Sequence, residues 1–261
     1  MKIIVCAKQV PDTNEVRIDA KRGTLIREGV PSILNPDDAN ALEAALQLKE
    51  QYPGSTVTIV SMGPTQATAM LRECLAMGAD DAYLLSDRAF GGADTCATSA
   101  TLAAAIEKIG GVDLILCGQQ AIDGDTAQVG PQLAMRLGLP SVTYVNSMTL
   151  EAKTFTVKRA LENGDDVFRI STPCLLTVLK ELNQPRYMTV RGVFEAYEKP
   201  ITVWNHESIG MDPNDCGLNA SPTQVLRSFT PEPRGKVQMF CGDPGESARG
   251  VVEALRSKHM I

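Results

Sequence analysis

Hydrophobic positions along this chain change period in a regular way, and the alternation predicts its fold class. Lys2 to Cys6 is a short β-branched run closed by Lys8 and a Pro11-Asp12 turn, the pattern of a buried strand leaving its sheet. Val16 to Ile18 and Thr24 to Ile26 flank the turn-forming Lys21-Arg22-Gly23 and predict a small hairpin. At Asn35-Pro36-Asp37-Asp38 the period shifts. A capping side chain, a proline at the first helical position and two carboxylates beside the positive helix end predict a helix. Ala39, Leu42, Ala45 and Leu46 keep helical spacing to about Gln51, where Tyr52-Pro53-Gly54 stops it.

Strand and helix then alternate. Val57 to Ser61, Ala82 to Leu85 and Asp113 to Cys117 read as strands, and Thr65 to Met77, Asp94 to Ile109 and Thr126 to Leu137 as helices. This order implies an α/β fold, a mostly parallel twisted sheet with helices on both faces and right-handed crossovers. After Ser141 strand follows strand: Val142 to Val145, Phe155 to Leu161, Val167 to Ile170 and Cys174 to Val178, with a hairpin turn at Glu162-Asn163-Gly164-Asp165. These are expected as antiparallel strand additions to the main sheet. From about Pro200 the periodicity is lost until Gly245 to Lys258 resumes a helix. Long irregular segments are uncommon inside compact domains, so this stretch is expected to be an extended C-terminal arm lying along another chain. The expected division is an α/β domain at 1–198 and an arm with its helix at 199–261.

Composition narrows the function classes. With 31 acidic against 25 basic side chains the formal charge is −6, the wrong sign for long-range attraction of DNA or RNA, so no nucleic acid is expected as a partner. The apolar run Ile3 to Ala7 is too short for a signal-peptide core, and no uncharged apolar run reaches spanning length. A cytoplasmic location without membrane insertion is therefore expected. Seven cysteines, odd in number and never spaced C-x-x-C, read as reduced, mostly buried thiols rather than a zinc or iron–sulfur site. The sequence carries neither G-x-G-x-x-G after its first strand nor a P-loop, and neither G-x-S-x-G nor H-E-x-x-H.

Open parallel sheets bind ligands beyond the carboxyl ends of their strands. Three loops are expected there: Cys6, Ala7 and Lys8; Met62, Gly63 and Pro64; and the long turn from Gly118 through Gln119, Gln120, Ala121, Ile122, Asp123, Gly124 and Asp125 to Thr126. Gly118 and Gly124 permit close approach of backbone to a ligand, and amides from Thr126 through Ala127 and Gln128 to Val129, at a helix start, suit a pyrophosphate. Asp123 and Asp125 could accept from ribose hydroxyls or cap the helix; the same stretch also reads as a plain turn with an N-cap. Asn35 reads first as an ordinary N-cap, Met62 as core, and Lys8 as a possible phosphate contact.

Six pieces in register carry a resemblance: Val5 to Val10, Leu34 to Asp38, Ser61 to Pro64, Ala76 to Asp80, Gly118 to Asp123 and Asn183 to Tyr187. Through about residue 198 the chain resembles the beta (small) subunit of electron transfer flavoproteins. The resemblance implies a nucleotide crevice lined by residues matching Cys6, Asn35 to Asp38, Met62 and Gln119 to Val129, and a larger alpha subunit that carries its own flavin. It also implies that Arg186 to Glu198 is a loop that docks an acyl-CoA dehydrogenase, with Arg186 and Tyr187 at its start and Val190 where the family often has leucine. Such an apolar anchor is worth on the order of 1 to 3 kcal/mol. Between Val157 and Thr177 the family pattern is only approximate, at Asn163, Asp166 and Phe168.

The slim loop Asp123 to Pro131, with Pro11-Asp12-Thr13 and the Gly23 to Ile26 hairpin, resembles the branch that holds FAD and bifurcates electrons, rather than the branch that holds AMP as a structural ligand. That branch implies NADH as hydride donor, with electrons leaving to the alpha-subunit FAD and an acyl-CoA dehydrogenase, and to ferredoxin or flavodoxin. The flavin carries the redox chemistry, so no catalytic side chain is assigned. Two rival readings are an AMP-holding carrier subunit and a non-redox nucleotide-binding sensor module.

Overall fold

The computed structural model describes residues 1–12, 31–226, 235 and 237–261. The hairpin expected at Val16 to Ile26 lies outside them. The described chain forms two units, Met1–Leu226 and Arg227–Ile261.

The first unit is built on a nine-stranded sheet. Its strands are β1 (Lys2–Cys6), β4 (Thr56–Met62), β5 (Asp81–Leu85), β6 (Leu114–Gly118), β7 (Ser141–Glu151), β8 (Thr154–Leu161), β9 (Gly164–Ser171), β10 (Cys174–Val178) and β11 (Ile201–Trp204), in the spatial order β11-β5-β4-β1-β6-β10-β7-β8-β9. A separate two-stranded antiparallel sheet pairs β2 (Gln9–Pro11) with β3 (Ser32–Leu34). The main sheet is parallel from β11 to β7, and β8 and β9 are antiparallel additions. The expected α/β class is therefore the observed one.

Alternation along each strand sends neighbouring side chains to opposite faces. Ile3 and Val5 pack with Ala41, Leu42, Leu71 and Leu75, from α1 (Pro36–Gln51) and α2 (Thr68–Met77). Ile4 and Cys6 face the other way, onto Leu102, Ile106, Leu133 and Ala134 of α3 (Thr95–Ile109) and α4 (Val129–Arg136). Gly78, at φ +131°, ends α2 with a backbone conformation that a side chain would strain.

Three expectations change. Cys174–Val178 is no antiparallel addition: β10 runs parallel between β6 and β7, in the sheet centre. Its five residues are all buried, and an uninterrupted apolar run carries no signal of strand direction. Ile201–Trp204 is no irregular arm but the edge strand β11, parallel to β5, so the compact unit continues past residue 198 to Leu226. A four-residue edge strand with two exposed members is too short to show a period. The expected docking loop contains a helix, α5 (Val190–Glu198), whose first turn is capped by Thr189 accepting from the Gly192 amide.

In the second unit α6 (Pro244–Ser257) matches the expected C-terminal helix, with Asp243 accepting from the Gly245 and Glu246 amides. Among the described residues no helix is long and apolar enough to cross a membrane. All seven cysteines are free; five are buried, Cys96 is half-buried and Cys241 exposed.

The segment leading to α5 is fixed to α1 by buried polar pairs. Asn40 and Asn183 exchange hydrogen bonds at 2.8 to 3.0 Å. The Arg186 guanidinium grips buried Glu43 at 2.7 and 3.0 Å and Glu50 at 2.5 Å. Burial pushes the Glu43 carboxyl upward, but the hydrogen bonds from Arg186 and Gln47 outweigh it and hold it below the usual range. A lowered folded pKa gives stability that is complete above the unfolded value of 4.5 and is lost as pH falls through the folded one. Replacing Arg186 by Met should cost about 3 to 5 kcal/mol at neutral pH by stranding a buried carboxylate. Urea unfolding at pH 7 and pH 4 checks this; the loss should shrink at the lower pH, and an equal loss at both would exclude Glu43 as its source.

Candidate functional site

β1 and β6 are hydrogen-bonded neighbours at the centre of the sheet, yet β1 leads into α1 on one face while β6 leads toward α4 on the other. Their carboxyl ends are the switch point at which loops diverge and leave a crevice. Cys6 and Cys117 sit side by side there in register, both buried. A hydrogen bond with the Cys6 thiol, reinforced by burial, drives the Cys117 thiol well above its usual range, so it is a packing group rather than a nucleophile.

Asp38, in the first turn of α1, bridges the two strand ends. One oxygen accepts from the Lys8 amide at 2.9 Å and the other from the Gly118 amide at 3.0 Å. Burial pushes its carboxyl up to about 7 against the lowering effect of these bonds. The displacement corresponds to roughly 4 kcal/mol of preference for the neutral form. Two charge-assisted hydrogen bonds of about 1.5 to 3 kcal/mol each therefore do not fully offset desolvation. Burial also raises Asp37, next to it.

Asn35 departs from its expected role. It makes no side-chain cap on α1; instead its amide donates to the Gln120 carbonyl at 2.8 Å and accepts from the Ile122 amide at 3.1 Å. Lys8 pairs with the largely buried Asp123 at 2.5 Å. Gln120 donates to Asp125 at 2.9 Å. The long turn after β6 is thus tied at four points to the loop after β1, to the start of α1 and to itself.

The two glycines divide the roles expected of both. A Cβ on Gly118 would lie 2.6 Å from Asp38 Oδ1 and from Asp37 backbone, so Gly118 admits the start of α1, not a ligand. Gly124 has no described residue within 4 Å of its Cβ position. The helix after this turn starts at Val129, not Thr126, because Asp125 and Ala127 take φ of +48° and +51°. The amides of Thr126, Ala127 and Gln128 have no hydrogen-bond partner among the described residues. Non-helical amides leading into a helix start, beside a glycine with free space, fit the phosphates of a nucleotide.

The expected site residues fall together in part. Cys6, Ala7, Lys8, Asn35, Asp38 and the turn from Gly118 to Val129 converge on the switch point, with Met62 and Gly63 half-buried at the end of β4 beside β1. A cavity of about 410 Å³ next to the turn is lined by Asp37, Gln119, Gln120, Ile122, Asn146 and Leu179 among others. One contributor was missed. Thr95, at the start of α3, donates to Gln128 at 3.1 Å, and Asp94 beside it accepts from the Thr223 amide and hydroxyl. The loop after β5 also leaves the carboxyl edge of the sheet, and that position was the available signal.

The docking candidates separate. Arg186 turns inward to Glu43 and Glu50, whereas Tyr187 is 94% and Val190 79% exposed. Phe194 and Tyr197 of α5 are exposed too. α5 lies so close on α2 that a Cβ at Gly192 would come 2.2 Å from the Ala76 carbonyl oxygen, and Arg72 of α2 donates to the Ala196 and Lys199 carbonyls.

A doubly wound sheet with a polar, amide-lined crevice at its central switch point defines the class: an α/β protein of the open-sheet type, in which ligand crevices lie at the carboxyl ends of the strands. Residues 22–208 match the family model for the electron transfer flavoprotein domain. The chain is 64% identical to the caffeyl-CoA reductase–Etf complex subunit CarD of Acetobacterium woodii over the full length of both. It is 53% identical to electron transfer flavoprotein subunit beta of Thermoanaerobacterium thermosaccharolyticum, again over both full lengths. The acryloyl-CoA reductase electron transfer subunit gamma of Anaerotignum propionicum is 46% identical over both full lengths. The chain belongs to the electron transfer flavoprotein family, among its beta subunits.

Gly118→Ala should force the start of α1 away from the strand end and lower stability by about 1 to 3 kcal/mol. Chemical denaturation against the parent checks it; an unchanged midpoint would show that the contact between Gly118 and Asp38 is loose.

Proposed function

We propose that this chain is the FAD-holding beta subunit of an electron-bifurcating electron transfer flavoprotein. The observation that carries the reading is the slim turn after β6, where, among the described residues, Gly124 has space around it and the amides from Thr126 to Gln128 have no partner. Bound there, FAD would take hydride from NADH and pass electrons to the alpha-subunit FAD and an acyl-CoA dehydrogenase on one route, and to ferredoxin or flavodoxin on the other. The chain's own residues bind and orient: the amides hold the phosphates, Asn35 and the Lys8–Asp123 pair fix the turn, and Cys6 and Met62 border the crevice. Two relatives carry names as subunits serving CoA-ester reductases, which supports a partner acting on acyl-CoA. The unit Arg227–Ile261, with Val251 and Val252 exposed on α6, is read as the arm that contacts the alpha subunit. A cytoplasmic setting is part of the same proposal.

Ligands released from the purified heterodimer and identified by mass spectrometry test the reading. Two flavins per heterodimer are expected; one flavin with AMP would replace the reading by the structural-nucleotide type, and no flavin would end it. In the same assay Gly124→Glu should keep the fold, because no described residue lies within 4 Å of its Cβ position, but lose flavin from this subunit. Full retention in that variant would count against the placement.

The exposed face of Tyr187, Val190, Phe194 and Tyr197 is proposed to dock the dehydrogenase. Val190→Asp should weaken electron delivery to that partner about tenfold, the equivalent of 1.4 kcal/mol, with flavin content unchanged. Unaltered dependence of the rate on dehydrogenase concentration would move the docking site elsewhere.

A further inference from the structure

We propose that Asp38 is a positioning residue for nucleotide binding: it touches no ligand, and its carboxylate holds the loops after β1 and β6 at the separation that the nucleotide requires. This rests on the reading of the crevice as a nucleotide site. Both oxygens are already engaged, one by the Lys8 amide in the loop after β1 and one by the Gly118 amide at the end of β6, on the two sides of the switch point. The side chain is buried behind the crevice wall, and Gly118 has no room for a Cβ beside it. Asn35, which adds a further hydrogen bond to Asp38, is the residue that grips Gln120 and Ile122. Asp38 therefore acts on the ligand-facing turn through Gly118 at its root and Asn35 along its length.

The charge state decides whether the bridge holds at both ends. A carboxylate accepts at both oxygens; a neutral carboxyl carries hydrogen on one, which then faces a backbone N–H as a second donor. Among the described residues no cation pairs with Asp38, and the Lys8 ammonium is engaged by Asp123. Among the described residues the other titratable groups that feel it are Asp37 on its own helix, the Cys74 thiol of α2 and the Cys117 thiol at the end of β6. Burial makes the neutral form the one the fold prefers, with the midpoint near neutral pH. A raised folded pKa contributes stability that is complete below the unfolded value of 3.8 and is lost as pH rises through about 7. Fold and site therefore respond to pH in opposite directions. As pH rises through neutrality Asp38 stabilises the chain less and positions the loops better. A carboxyl with only a structural role would not set the two against each other.

The test uses the heterodimer depleted of nucleotide, with FAD and AMP as separate probes, in the parent protein and Asp38→Asn. The asparagine keeps one acceptor and turns an NH2 toward the other amide, so it imitates the neutral state at every pH. Affinity of the parent for at least one probe should strengthen about tenfold between pH 6 and pH 8. Asp38→Asn should bind at the parent's pH 6 level throughout. Titration of the probe's own phosphate is common to both proteins and cancels in their difference. The unfolding midpoint of the parent, measured relative to the variant without nucleotide, should fall over the same interval. A parent whose affinity is flat or weakens as pH rises, or a variant that keeps the slope, overturns the role of Asp38 and leaves the nucleotide site standing. If neither FAD nor AMP binds the parent at any pH, the nucleotide reading fails and this inference with it. Should Asp38→Asn not fold, the parent's two pH profiles alone decide: opposite slopes support the role and parallel slopes refute it.

Discussion

A single buried carboxylate joins the two strand ends on which everything else at the crevice depends. Asp38 reaches from the first turn of α1 to the amides at the ends of β1 and β6, and Gly118 is the residue that lets it come so near. Around that bridge Asn35 and the Lys8–Asp123 pair draw the long turn against the start of α1. The backbone from Thr126 to Gln128 is then left outside helix and sheet, with amides that no described residue engages. The fold bears a cost for this arrangement, because burial makes the carboxyl prefer to be neutral. Such a cost is more intelligible in a binding site than in a core.

The same sheet separates two tasks in space. Its central strand ends carry the crevice, whereas α5, seated on α2, carries the exposed aromatic and aliphatic face. Arg186 lies between these tasks: it spends its charge on Glu43 and Glu50 and thereby fixes the chain that delivers Tyr187 and Val190 to the surface. A rigid mount lowers the ordering cost of a partner's docking.

Much of this was legible in the sequence, for definable reasons. Strands β1, β4, β5 and β6 are short apolar runs that alternate with the longer segments α1, α2 and α3 of helical spacing, so their order and the α/β class could be read directly. The direction of β10 could not, because its buried apolar run has no face. Nor could β11, which is recognisable only by its pairing with β5. At the site, residue types pointed to the right loops but not to their bonds. Asn35 followed by Pro36 has the signature of a cap, and only tertiary contact reveals that its amide serves the turn after β6. Gly118 and Gly124 look alike in sequence, yet one accommodates a helix and the other faces open space.

The most direct measurement is a crystal structure of this chain together with its alpha subunit, purified with its native ligands. The expected density is that of FAD, its phosphates within hydrogen-bond distance of the Thr126, Ala127 and Gln128 amides, with Asp38 still bridging Lys8 and Gly118. A crevice closed by side chains, or a flavin bound in this subunit away from the turn after β6, would contradict it.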